Sequence, residues 1–100
     1  MHIPAIAVEF LGTFIFFFVI LSTGNGWIIG LTLALLIFVF GKISGGHFNP
    51  GVTIMMLYNK GVLFEDASLY LLVQVLAGVL AVELWRRVLV NTSTAASPRF

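Results

Sequence analysis

The chain has 100 residues, of which 60% are hydrophobic and 9% charged, and its mean hydropathy is +1.11. Soluble domains carry about 25% charged residues, so this composition excludes an ordinary soluble fold and indicates an all-α integral membrane protein. The net charge of +1 excludes a nucleic-acid-binding surface, and the lack of cysteine excludes disulfides and thiol chemistry.

Two apolar segments at the start of the sequence are long enough to cross a bilayer. Residues 5–22 and 27–43 each approach the roughly 20 residues that span about 30 Å of hydrocarbon. The turn Thr23-Gly24-Asn25-Gly26 separates them. The sequence therefore predicts two transmembrane helices. No basic segment or cleavage site marks a signal peptide, so the first is interpreted as a membrane helix.

Residues 44–59 have a different pattern, which predicts a re-entrant loop and a half-helix. The apolar part, 52–58, is too short to span a bilayer. Asn49 suits a helix N-cap and Pro50 the first helical position, where its missing N–H costs nothing. Asn59-Lys60-Gly61 is expected to end the half-helix, with Gly61 in a left-handed conformation. The segment enters the membrane and returns to the same surface.

A third span is predicted at residues 67–88, opened by acidic residues at 65–66 and followed by a polar tail at 91–100. The whole of 1–90 is interpreted as one membrane unit. Gly30 with Ala34, and Ala77 with Ala81, place small residues four apart. These pairs are either helix contact faces or simple lipid-compatible filler.

The polar loop predicts a path for small neutral solutes. The half-helix starts at Asn49 inside the membrane, so about half a positive charge from its dipole repels cations there. Carbonyls of an extended segment, Gly45, Gly46, His47 and Phe48, are expected to accept hydrogen bonds from the solute. His47 is interpreted as pore-lining rather than as a proton shuttle or metal ligand, because His2 is the only other histidine. No metal or cofactor is expected.

The loop and the start of the half-helix have the sequence Ser44-Gly-Gly-His-Phe-Asn-Pro-Gly-Val-Thr53. This segment resembles the first signature loop of the aquaporin and glycerol-facilitator family, which is usually SGxHxNPAVT. Gly51 stands in place of the alanine. Ala7-Val-Glu-Phe-Leu-Gly-Thr-Phe14 is similar to the family's first-helix signature AEFxGTF, and Tyr70, Gln74 and Gly78 fit its third helix. The resemblance implies half of an aquaporin-like fold, three spans and a re-entrant half-helix, matching the N-terminal repeat.

The resemblance also implies roles for individual residues. Family members carry a second loop followed by an arginine, whereas Val52 follows the motif here and would line the pore. Ile29 matches a position in the outer constriction. Glu9 and Gln74 would support the loop by hydrogen bonds, in preference to a proton relay or solute contact.

A pore made from half a fold needs a partner, and the simplest one is an inverted copy. An antiparallel homodimer would bring two Asn49 side chains together near the midplane, and four such dimers would match the tetramers of the family. Such pairing needs insertion in both orientations. The positive charges permit it, because Lys42 and Lys60 are on one side, and the arginines Arg86, Arg87 and Arg99 on the other.

The sequence thus predicts a passive channel for water or small neutral solutes such as glycerol, embedded in a lipid bilayer. No catalytic constellation is visible, which indicates that the chain is not an enzyme. Two alternatives stay open. In the first, the chain is a non-conducting scaffold or partner subunit that pairs with another channel half. In the second, it is a truncated product without function.

Overall fold

A computed structural model describes residues 2–90, and all regular structure in that range is helical. The elements are α1 (Ile3–Thr23), α2 (Gly26–Ser44), α3 (Pro50–Tyr58) and α4 (Phe64–Trp85), which continues as a π-helical turn, Arg86–Val90. Three segments, α1, α2 and Phe64–Leu89, are long and apolar enough to cross a membrane. The predicted all-α fold with three spans is confirmed. The predicted tail, 91–100, lies outside the described residues.

A tight turn joins α1 to α2. Gly24 ends α1 in the left-handed region at φ 64°, where glycine has no steric penalty. The side chain of Asn25 then caps α2, because its Oδ1 accepts from the backbone N–H groups of Trp27 at 2.9 Å and Ile28 at 3.2 Å. The two helices therefore run in opposite directions and pack against each other.

The helix α3 is too short to cross a membrane. With nine residues it is about 14 Å long, less than half the hydrocarbon thickness. Asn49 is its N-cap and Pro50 its first residue. At its other end Lys60, with φ 60°, adopts the left-handed conformation expected for Gly61, so that expectation is wrong. Gly61 instead donates its N–H to the Met56 carbonyl at 2.8 Å.

The small residues of α4 are buried where this helix packs against α1. Ala77 and Ala81 are fully buried on α4, and the neighbouring Gly78 lies against the Phe17 ring of α1. This small-residue face is a helix contact. Gly30 and Ala34 are exposed on α2, and nothing lies within 4 Å of where a Gly30 Cβ would be. Because α3 also packs against α4, the loop between α2 and α3 is held beside the core.

Candidate pore loop and its support

One buried carboxylate organises the loop. Glu9 on α1 is fully buried, and its Oε2 accepts from the Ser44 hydroxyl at 2.7 Å and from the His47 backbone N–H at 3.0 Å. Its Oε1 accepts from the Phe48 backbone N–H at 2.8 Å and from Gln74 Nε2 at 3.0 Å. Each oxygen thus accepts two hydrogen bonds, so the buried polar group is fully partnered.

Other side chains complete the support. The Tyr70 hydroxyl donates to the Ser44 carbonyl at 2.6 Å, and the Ser44 hydroxyl accepts from the Gly46 N–H at 3.1 Å. Thr53, fully buried on α3, lies 2.8 Å from His47 Nδ1 and accepts from Gln74 Nε2 at 2.9 Å. We call the five supporting side chains the cradle: Glu9, Ser44, Thr53, Tyr70 and Gln74.

The backbone of the loop is curled, so the expectation that residues 45–48 are extended is wrong. Gly45, Gly46 and Phe48 have φ of 90°, 65° and 53°, all in the left-handed region. Glycine adopts this region freely, whereas phenylalanine does so at a cost of roughly 1–3 kcal/mol. The bond from the Phe48 N–H to Glu9 and the complete burial of the Phe48 ring offset that cost. Tertiary contacts, rather than local preference, set this turn.

The Phe48 ring occupies a space that exists because α1 has a glycine at position 12. A Cβ on Gly12 would overlap this ring, with 2.8 Å to Cζ. Phe48 joins Phe16 and Leu36 in the buried apolar cluster. The fully buried side chain of Phe48 therefore anchors the loop. Sequence reasoning missed this contact, although both residues lie in the quoted signatures.

The tip of the loop is exposed. Asn49 Oδ1 accepts the Gly51 N–H at 2.6 Å, which fixes the orientation of the side-chain amide. Its Nδ2 makes no hydrogen bond within residues 2–90 and is left with two donor hydrogens. Gly51 is also exposed, and Val52 is half-buried. A polar amide and the positive end of a helix dipole are thus presented at one point.

A family model describes most of this chain, including the loop. The model of the major intrinsic proteins matches residues 23–99. The chain belongs to this family. Among its relatives, a glycerol uptake facilitator protein-like 6 of Lactiplantibacillus plantarum is 42% identical over 73% of this chain and 38% of its own length.

Two further major intrinsic proteins show the same partial overlap. Aquaporin Z of Photorhabdus laumondii is 35% identical over 76% of this chain and 39% of its own length. Aquaporin-4 of Mus musculus is 31% identical over 76% of this chain and 28% of its own length. The chain thus spans less than half the length of these relatives. No solved structure matches it significantly.

In this major intrinsic protein the predicted site residues fall into three groups. Glu9 and Gln74 contact each other and the loop. Gly45 and Asn49 are exposed at the loop, whereas Gly46 and His47 are buried. Ile29, on α2, is partly buried and packs against the apolar cluster of Phe16, Leu36 and Phe48. A pore-lining role stays a prediction for Gly45, Gly46, His47, Phe48, Asn49, Ile29 and Val52.

Sequence reasoning did not identify Ser44, Thr53 and Tyr70 as supports. Apart from the Gly46 N–H, which is two residues from Ser44, their partners lie 6 to 35 residues away along the chain, so no local pattern reveals them. Their positions inside the family signatures are the one signal that could have found them. Within residues 2–90, no cluster of three His, Cys, Asp or Glu side chains could hold a metal ion.

Proposed function

We propose that the chain forms a passive channel for water and small neutral solutes such as glycerol, with a pore completed by an inverted second copy. The observation that carries the proposal is the exposed Asn49 amide, whose oxygen is tied to the Gly51 N–H while its nitrogen is free to donate. The names of the relatives, which include a glycerol uptake facilitator protein-like protein and aquaporins, support the same solute class. The family match also agrees with a membrane protein that is not an enzyme.

The electrostatics at Asn49 favour neutral solutes over cations. The N-terminal end of α3 carries about half a positive charge, and the Asn49 Nδ2 hydrogens have the same sign. A water or polyol oxygen can accept from Nδ2, whereas a hydrated cation meets repulsion at this point. Loop carbonyls, such as that of the exposed Gly45, can accept the solute's hydroxyl hydrogens.

An inverted copy supplies what one chain lacks. Asn49 and Gly51 are exposed at the start of a helix too short to reach the other surface, and an exposed amide in hydrocarbon costs several kcal/mol. The relatives are more than twice as long as the segment matched here. A second chain, turned over, would place its own Asn49 opposite the first and enclose a wet path. Four such pairs form the larger assembly that we propose.

The distribution of charge is compatible with both orientations. Lys42 and Lys60 lie near one end of the helices, and Arg86 and Arg87 near the other. Since the basic residues of short loops set orientation, a nearly even split gives only a weak preference for one orientation.

Osmotic shrinkage of proteoliposomes tests the channel, and the chain offers a matched control. Asn49→Asp keeps a capping oxygen for Gly51 but replaces both Nδ2 donors with a negative charge. Asn25→Asp makes the same change in the cap of α2, outside the loop. We expect the parent protein to raise water permeability several-fold over empty vesicles. Asn49→Asp should remove most of that increase and Asn25→Asp should retain it.

Permeability of the parent equal to that of empty vesicles, in protein shown to be inserted, would reject the channel. The alternative, a non-conducting subunit for another channel half, makes a different prediction for the purified chain. A stable homo-oligomer of even number favours the channel, whereas a chain that remains soluble in detergent only with another protein favours the subunit.

A further inference from the structure

We propose that Thr53 holds the His47 ring in one tautomer, with the proton on Nε2, so that His47 offers a hydrogen-bond donor to the pore. Thr53 is a positioning residue in this proposal, because it acts through His47. The starting observation is the 2.8 Å contact between Thr53 Oγ1 and His47 Nδ1, both on buried residues. A neutral imidazole has one donor and one acceptor nitrogen, and the partner of one nitrogen decides the state of the other.

Glu9 determines which partner donates in each hydrogen bond of this network. The Ser44 hydroxyl and the backbone N–H groups of His47 and Phe48 all donate to its carboxylate, so Glu9 acts as an acceptor only. The Gln74 amide facing Glu9 Oε1 must therefore present its nitrogen, at 3.0 Å. A flipped amide would place two oxygens against each other.

The second hydrogen of the same Gln74 nitrogen sets the role of Thr53. Nε2 lies 2.9 Å from Thr53 Oγ1, and because an amide nitrogen can only donate, the Thr53 oxygen accepts this bond. The hydroxyl has a single proton of its own. In a residue with 0% exposure, that proton needs an acceptor nearby.

His47 Nδ1 is the acceptor that remains. Ser22, Thr32 and Ser68 each donate their hydroxyl to the carbonyl four residues earlier in their own helix, at 2.7 to 2.8 Å. Thr53 makes no such bond within the described part of the chain, and its hydroxyl faces the histidine instead. If Nδ1 carried a proton, the Thr53 oxygen would receive two hydrogens and its own proton would be left buried without a partner. Nδ1 is therefore the unprotonated nitrogen.

The ring proton then lies on Nε2. This nitrogen makes no hydrogen bond within residues 2–90. In that range two polar side-chain atoms are both fully buried and without a hydrogen bond, Thr13 Oγ1 and Gln74 Oε1. His47 Nε2 is not one of them, so it is accessible from outside the chain. The edge of an otherwise buried ring, stacked edge-on to Tyr70 with centroids 5.0 Å apart, thus presents an N–H. Its use by a passing solute rests on the proposed function, but the tautomer itself does not.

Nitrogen-15 solid-state NMR of the histidine-labelled protein in lipid bilayers measures the tautomer directly. His2→Gln leaves His47 as the single histidine. We expect one neutral imidazole in which Nε2 bears the proton and Nδ1 does not. Thr53→Val, which keeps the shape but loses the hydroxyl, should give a mixture of both tautomers. Thr53→Ser, which keeps the hydroxyl, should restore the single form.

Thr32→Val is the matched control, because the Thr32 hydroxyl bonds its own helix at Ile28 and is remote in sequence from the loop. It should leave the spectrum unchanged. A parent spectrum with the proton on Nδ1 would overturn the proposal, as would a Thr53→Val spectrum identical to the parent. If Thr53→Val does not fold, the parent spectrum alone still tests whether the His47 proton lies on Nε2. A protein with the Nε2–H tautomer and no water flux keeps this inference and rejects the channel.

Discussion

The cradle and helix α2 differ in how far their side chains are buried within the chain. The cradle side chains are buried, and each hydrogen-bonds another cradle member or the loop from within the same chain. On α2, only Leu36 and Ser44 are buried, while Leu31, Leu35 and Phe38 are 61%, 54% and 85% exposed. The chain therefore fixes its loop by its own contacts, whereas most of the apolar surface of α2 has no contact within the described part of the chain.

The largest expected effect comes from removing the centre of the cradle. Glu9→Leu would leave four donors without an acceptor, on Ser44, His47, Phe48 and Gln74. Each buried unpaired donor costs about 1–3 kcal/mol, so we expect a loss of several kcal/mol in the free energy of unfolding. Denaturation of the protein in detergent micelles, monitored by circular dichroism, measures this loss.

Glu83→Leu is the control for this change. Glu83 lies on α4 with a side chain 50% exposed and only a 3.8 Å contact with Arg87. Exposed pairs contribute about 0–1 kcal/mol, so little stability should be lost. Equal losses in the two variants would show that the loop does not depend on Glu9.

A second prediction concerns the glycines of the two regions. Gly12→Ala would push a methyl group into the Phe48 ring, and overpacking of this kind costs about 1–3 kcal/mol. Gly30→Ala on α2 meets nothing within 4 Å, and alanine in a helix is favoured over glycine by roughly 1 kcal/mol. The same denaturation measurement should move in opposite directions for the two variants. A Gly12→Ala protein as stable as Gly30→Ala would contradict the role of the Phe48 ring as an anchor.

These contrasts also show what the sequence could and could not predict. Apolar length identified the three spans, and cap chemistry pointed to Asn49 and Pro50 at the start of the half-helix, because both signals are local. The curl of the loop was not predictable in this way. It depends on Glu9, which is 39 residues from Phe48, and on the space at Gly12. Local preference would not place a phenylalanine at φ 53°.

The smallest effect is expected from a single hydroxyl of the cradle. Tyr70→Phe removes the 2.6 Å bond to the Ser44 carbonyl, which should lower the free energy of unfolding by about 1 kcal/mol. Tyr58→Phe removes the same group from a side chain that is 90% exposed at the end of α3. It should have no measurable effect on unfolding. If Tyr70→Phe and Tyr58→Phe change the free energy of unfolding equally, the hydrogen bond from Tyr70 to the Ser44 carbonyl does not stabilise the fold.

The orientation of the chain in the membrane tests the inverted pair most directly. The chain has no cysteine, so Asn59→Cys and Arg86→Cys, exposed near opposite ends of the helices, each provide one labelling site. Sealed vesicles are treated with a membrane-impermeant maleimide before and after permeabilisation. Inverted pairs predict partial labelling of both variants from outside and complete labelling after permeabilisation, with the outside fraction of Arg86→Cys shifted only as far as the loss of one basic residue changes the balance of orientations. Complete labelling of one position from outside, with full protection of the other, would contradict the account.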